Sequence, residues 1–284
     1  MSQIRVIALF TLRESLRRRV FLVVALLTAA FLGLYALGTW QLFGELDKNE
    51  LDGTGVELGI VAGATLLGLA MFGTLFLGTV LAVFLTLGAV RGDAEQGLLQ
   101  PLLVRPVSRR TLLLGRYVAA AGVCAAYVVL VFVAAAVITW ATGDWWPDRL
   151  IVPAVGLALA VAILAALSLA GSVFLSSTAN GIAVFMVFGA GLVAGLLGQI
   201  GEGLASDTLQ DVATVASWLL PFEGLYQAAL AGLTSDTVGF TRLAIDLGPF
   251  GGAQAAGLGL WLWAVVYLGL VGAWALRGFA RRDL

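Results

Sequence analysis

Long uninterrupted apolar runs dominate the chain, and the short segments between them hold nearly all of its charge. A helix that crosses the hydrocarbon core of a bilayer needs about 20 consecutive apolar residues. The runs therefore predict an all-α integral membrane protein, folded as a single domain over residues 1–284. The predicted spans are residues 20–40, 58–90, 117–143, 150–176, 181–201 and 255–276.

The uncharged stretch Leu150–Gly201 is long enough for two of these spans. In its middle stands the polar cluster Ser176-Ser177-Thr178-Ala179-Asn180-Gly181, which is typical of a turn. We therefore expect a tight hairpin there. The run Leu58–Val90 exceeds one bilayer thickness, so its helix is expected to project beyond the bilayer.

The composition supports a membrane protein with no large soluble domain. Of the 284 residues, 61% are hydrophobic and only 12% are charged, whereas about 25% are charged in soluble domains. The single cysteine, Cys124, excludes a disulfide within the chain and lies in an apolar run. We interpret it as a buried, inert thiol.

The charges are divided unequally between the two sides of the predicted bundle. Residues 1–19, 91–116 and 277–284 contain thirteen of the sixteen basic residues but only four of the seventeen acids. Because cytoplasmic loops of membrane proteins carry an excess of arginine and lysine, both termini and the 91–116 loop are predicted to be cytoplasmic. The expected location is the cell's inner (plasma) membrane, as a multi-pass protein.

The basic N-terminal segment Ser2–Arg19 predicts a helix that lies on the membrane surface. Glu14 and Arg18 form an i,i+4 pair on it. A basic flank that only fixes topology is the alternative. A cleaved signal peptide is disfavoured, because the apolar run Val20–Trp40 is too long for one.

The segment 91–116 is both basic and amphipathic. From Asp93 to Val104 it predicts a short helix, with Asp93 as its N-cap and Pro101 bending or shortening it. One apolar stripe runs along this helix, formed by Leu98, Leu99, Leu102 and Leu103. Such a stripe needs a partner, and physical reasoning leaves two open: the lipid surface or a groove in another protein.

The same segment resembles the signature loop of type-2 ABC-transporter permeases, which follows the pattern E-x-G-T-L-x-x-L-L-x-x-P-V-S-R and then L-L-x-G-K. The matching run here is EQGLLQPLLVRPVSR, residues 95–109, followed by LLLGR, residues 112–116. Leu98 stands at the family's Thr-Leu position, Arg116 replaces the lysine, and Pro101 is an added departure. The overall layout is similar to the permease subgroup for copper-site maturation of nitrous-oxide reductase.

The resemblance implies that the loop is a cytoplasmic coupling helix that docks into an ATPase subunit. Its implied docking surface is Glu95, Gly97, Leu98, Leu99, Leu102 and Leu103, with Arg105, Arg109 and Arg110 as a charged rim or as lipid-phosphate contacts. The alternative for each arginine is that it only enforces topology. The resemblance also implies an N-terminal elbow helix over residues 1–19 and extracytoplasmic re-entrant helices within residues 202–254, around SWLLPFEGLYQAAL (217–230).

The implied partners are two copies of an ABC-type ATPase and a second permease, either another copy or a paralogue, in contact with membrane lipid. The chain itself has no G-x-x-x-x-G-K-[ST] loop and no histidine, so we expect no enzymatic activity and no cofactor or metal in it. ATP and Mg²⁺ are expected in the partner, and no nucleic acid is expected. The predicted spans lack charges, which disfavours coupling to an ion gradient.

These expectations favour an exporter of a hydrophobic or amphipathic substrate. The alternative is a membrane anchor or assembly subunit that docks a soluble cytoplasmic partner and conducts nothing. Within the bundle, G-x-x-x-G spacings at Gly59–Gly63 and Gly191–Gly195 are candidate sites of close helix packing. The acidic segment 202–254 is either a re-entrant pair or an interfacial cap, since Glu223 disfavours a seventh span.

Overall fold

The regular structure of the protein is helical throughout its described parts. The computed structural model describes residues 19–46, 57–86, 109–204, 206–239 and 257–280, together with Thr241, Ile245 and Ala253. Within these ranges lie eight α-helices: α1 Arg19–Leu46, α2 Leu58–Thr86, α3 Arg109–Gly143, α4 Ile151–Phe174, α5 Ser177–Gly203, α6 Asp207–Leu219, α7 Pro221–Ala231 and α8 Leu258–Ala280.

Six of these helices, α1 to α5 and α8, are long and apolar enough to cross a membrane. This confirms the predicted all-α membrane fold with six candidate spans. The other two helices are short: α6 has 13 residues and α7 has 11. At about 1.5 Å per residue, neither reaches across a hydrocarbon core of about 30 Å.

Several helices extend beyond the apolar runs that predicted them. Helix α1 continues to Leu46 rather than residue 40, and α3 begins at Arg109 rather than residue 117. Helix α5 begins at Ser177, so the turn after α4 is confined to Leu175 and Ser176. The physical reason is that polar residues end the hydrophobic signal without interrupting the backbone hydrogen bonds of a helix.

The bundle has two distinguishable ends. At one end Phe43 lies against Gly143 and Trp145 lies against Gly63. At the other, Phe174 of α4 lies against Gly278 of α8. We call the first the hairpin end, because α6 and α7 lie there. We call the second the arginine end, because α1 and α3 begin at this end with Arg19 and Arg109.

Helix α4 is the centre of the bundle. It packs against α2, α3, α5, α7 and α8, and it contains no charged residue. Leu157, Ile163 and Leu164 on it are fully buried. Near the arginine end a smaller apolar cluster joins Leu113 of α3 and Phe279 of α8 to α4. Every other span except α1 is therefore positioned by contact with this one helix.

Candidate functional site: a short helical hairpin and a polar junction

Helices α6 and α7 form a short hairpin, which enters the bundle and leaves it at the same end. Helix α6 lies along α5, so closely that a Cβ added to Gly198 would be 3.2 Å from the Cβ of Ala213. The Gln210 side chain donates a hydrogen bond of 3.2 Å from Nε2 to the carbonyl of Gly201. The chain then turns at Leu220, and Pro221 begins α7, a favourable place for proline in a helix.

Helix α7 is buried among the spans, whereas α6 has no buried residue. In α7, Ala229 packs against Gly156 of α4, and Gly224 packs against Leu260 of α8. The Tyr226 hydroxyl donates to the carbonyl of Gly68 of α2 over 3.4 Å. Eleven residues thus contact several spans at once, which is the arrangement expected of a re-entrant pair.

The face of α5 that receives α7 is formed by Gly191 and Gly195, which we call the α5 notch. A Cβ added to Gly191 would overlap the ring of Phe222, with Cε2 only 3.0 Å away. A Cβ added to Gly195 would overlap Oε1 of Glu223, with Cδ 2.7 Å away. The G-x-x-x-G spacing is therefore a packing site within the chain. It brings Phe222 and Glu223 close to the backbone of α5.

The second spacing behaves differently at its two glycines. Gly63 faces the indole of Trp145, whose Cε3 atom would lie 2.5 Å from an added Cβ. Gly59, one turn earlier on α2, has nothing within 4 Å of such a Cβ. Only the second glycine of this pair is a site of close packing.

Glu223 lies inside the bundle although it is ionisable, since only 5% of its surface is exposed. Its Oε1 accepts a hydrogen bond of 2.8 Å from Nε2 of Gln227, one turn later on α7. The Oε1 atom of Gln227 is buried and has no hydrogen-bond partner among the described residues. Burial raises the pKa of the Glu223 carboxyl, and the hydrogen bond from Gln227 opposes part of that rise. The sequence placed this acid in the outer segment and missed its burial.

A second polar group lies near the arginine end and joins three spans. The Thr86 hydroxyl, on the last residue of α2, donates to the Ser168 hydroxyl of α4 over 2.6 Å. The Asn180 amide of α5 donates to the Ser168 carbonyl over 2.9 Å. All three side chains are buried. We call this group the polar junction; it ties the end of α2, directly before the 87–108 segment, to α4 and α5.

Most of the sequence-predicted docking residues lie outside the described residues, namely Glu95, Gly97, Leu98, Leu99, Leu102, Leu103 and Arg105, as does the elbow segment before Arg19. Arg109 and Arg110 are described, and they form the first turn of α3. The side chain of Arg110 is exposed. In the described ranges no group of three or more histidine, cysteine, aspartate or glutamate side chains could hold a metal ion.

Comparison with protein families gives a match over nearly the whole chain. The model of a family described as ABC-2 family transporter protein matches residues 5–284. No curated protein matches the sequence. The family match covers nearly the whole chain, and it agrees with six helices able to cross a membrane. The chain therefore belongs to the ABC-2 family of transporter proteins and is a multi-pass membrane permease of an ABC transporter.

Proposed function

We propose that this permease exports a hydrophobic or amphipathic substrate, driven by a separate ATPase subunit that docks on the 91–116 loop. The observation that carries the proposal is the family match over residues 5–284, which includes this loop. The first part of this loop, residues 91–108, lies in the chain between α2, which ends at Thr86, and α3, which begins at Arg109. Both helices pack on α4, so a force on the loop acts on the centre of the bundle.

The polar junction and the hairpin suggest how such a force travels. Ser168 of α4 bonds to Thr86, and Gly156 of the same helix contacts α7. Twelve residues separate Ser168 from Gly156, which is about 18 Å along a helix. In the proposed mechanism, ATP and Mg²⁺ bind in the partner ATPase, whose closure moves the loop and α2. Helix α4 carries the movement to the hairpin and opens the path there.

The arginines suggest the orientation of the protein in the membrane. Arg19, Arg109 and Arg277 all lie towards the arginine end, which by the positive-inside rule faces the cytoplasm of a cell whose inner (plasma) membrane holds the protein. The hairpin end then faces outward. Helices α2 and α4 carry no charged residue, which favours a hydrophobic or amphipathic substrate over an ion or a sugar. The proposed assembly contains two ATPase subunits and a second permease, either a copy or a paralogue.

Co-purification tests the docking step. The tagged protein, expressed with its candidate ATPase and extracted in mild detergent, is compared with the double variant Leu98→Asp/Leu102→Asp. We expect the ATPase to accompany the wild type and to be lost from the variant. The matched control is Leu204→Asp/Val238→Asp, which adds the same charges to two exposed residues at the hairpin end. Loss of the ATPase from both variants, or from neither, would contradict docking on the loop.

ATPase measurements separate an exporter from the alternative, a non-conducting anchor. The reconstituted complex is assayed with a panel of lipids, hydrophobic drugs and amphipathic peptides. An exporter is expected to hydrolyse ATP faster with one class of these compounds. A hydrolysis rate that no compound changes, in a complex that still co-purifies, would favour the anchor.

A further inference from the structure

We propose that Glu223 and Gln227 form a proton-binding site, and that the bound proton holds α7 docked in the α5 notch. The inference rests on the burial of α7 and holds whether or not the protein is an exporter. Glu223 is the acid that the structure places inside the hairpin contact, with 5% of its surface exposed. Its neighbour Gln227 is the one described side chain bonded to it.

The first argument is hydrogen-bond balance. The Gln227 amide already donates to Oε1 of Glu223, and its own Oε1 is buried without a donor among the described residues. An ionised carboxylate has no hydrogen to donate, whereas a carboxylic acid has one. Protonation of Glu223 therefore supplies the missing donor. An acid and a primary amide can then form two hydrogen bonds where the ionised pair forms one.

The second argument is that the described helices around α7 offer no compensating positive charge. A buried carboxylate is costly unless it is paired with a cation, and it otherwise takes up a proton. Among helices α2 and α4 to α8, the only arginine or lysine is Arg277, close to the arginine end of α8. Arg149, in the α3–α4 connection, lies 3.8 Å from Asp236. No cation on the helices packed against α7 is placed to neutralise Glu223.

Among the described residues, few other titratable groups lie on the elements around α7. Helices α2 and α4 have none that titrates near neutral pH. Glu202 of α5 is seven residues beyond Gly195, about 10 Å along the helix. The remaining described acids and tyrosines around α7 lie on α6, α7, α8 and the connections at the hairpin end: Asp207, Asp211, Tyr226, Tyr267, Glu57, Asp144, Asp148 and Asp236. Asp207 and Asp211 are exposed, so solvent can screen their charges.

The sign of the pH effect follows from linkage. Docking raises the pKa of Glu223, so the docked state binds more protons than the withdrawn state. Docking is strongest below the ordinary glutamate pKa of about 4.3. It weakens as the pH rises from there to the raised pKa of the docked state, and above that pKa it weakens no further. Between these limits, each pH unit increases the ratio of withdrawn to docked α7 by up to about tenfold.

Infrared spectroscopy tests for the proton directly. The wild type, in phosphatidylcholine vesicles, is titrated from acidic to alkaline pH while the carbonyl band of protonated carboxylic acids is recorded. We expect this band to persist above the ordinary glutamate pKa, to be absent from Glu223→Gln, and to shift in Glu223→Asp. The matched control Asp211→Asn, on an exposed acid of α6, should retain it. A band that disappears from the wild type already at the ordinary glutamate pKa would overturn the proposal.

A labelling experiment tests the link to docking. The variant Leu230→Cys, in a Cys124→Ala background, carries a single thiol at a buried position of α7. The rate at which this thiol reacts with a maleimide reports the withdrawal of α7. The pH dependence of thiol chemistry is the same in every variant, so it cancels in the ratio of the wild-type rate to the Glu223→Gln rate. We expect this ratio to rise with pH. A ratio that stays constant, with the infrared band present, would show that the proton does not control docking.

Discussion

The α5 notch predicts that one added methyl group will loosen the hairpin. In Gly191→Ala the new Cβ meets the ring of Phe222, which is fully buried and stacks on Phe188 at a centroid distance of 6.0 Å. Overpacking of this kind costs about 1–3 kcal/mol. Gly189→Ala is the matched control. Gly189 lies on the same helix, and a Cβ added there has nothing within 4 Å. Both variants gain the same helix propensity, about 1 kcal/mol, so their difference isolates the overlap.

The assay is maleimide labelling of Leu230→Cys in the Cys124→Ala background. When docking is fast compared with labelling, the rate is proportional to the withdrawn fraction of α7. A cost of 1–3 kcal/mol then makes Gly191→Ala label about 5- to 150-fold faster than Gly189→Ala. In a Phe222→Ala background the two alanine variants should label at equal rates. Equal rates with Phe222 present would refute the packing argument, as would an unchanged difference without it.

Two further predictions concern α2. Gly63→Ala should lower the thermal midpoint in detergent, because its Cβ meets Trp145, while Gly59→Ala should leave the midpoint unchanged or raise it; equal midpoints would contradict the contact. Thr86→Val should lower transport per ATP hydrolysed in the reconstituted complex by removing the bond to Ser168. Thr79→Val loses only a hydrogen bond to the Leu75 carbonyl of its own helix, so it should leave transport per ATP unchanged. An equal loss of transport in both variants would show that the polar junction has no role in coupling.

Hydropathy was sufficient to predict the six spans, because each needs only a run of apolar residues long enough for the bilayer. The helix ends were harder to predict. Arg116 bounds the apolar run 117–143, yet helix α3 begins seven residues earlier, at Arg109. The polar cluster at 176–181 was predicted to be a turn, but Asn180 lies within α5 and points towards α4. Local sequence cannot distinguish a polar side chain in a turn from one that bonds to a neighbouring span.

The candidate site depended on tertiary contacts in the same way. The sequence contained both halves of the hairpin contact, a G-x-x-x-G spacing on α5 and Pro221-Phe222-Glu223 at the start of α7. Neither segment alone showed that α5 and α7 are in contact, because a glycine carries no side chain whose chemistry would predict what packs against it. The sequence therefore assigned Glu223 only to the acidic outer segment, whereas the structure buries its side chain. The docking residues of the 91–116 loop stay a prediction.

The contact between Gly191 and Phe222 has a consequence for sequence variation. A ring can occupy the space beside α5 only while position 191 has no side chain, so the two positions should not vary independently. A related chain with alanine or a larger residue at the position of Gly191 is expected to carry something smaller than phenylalanine opposite it. Paired substitutions at these two sites would identify, from sequences alone, which other permeases keep the short hairpin in this position.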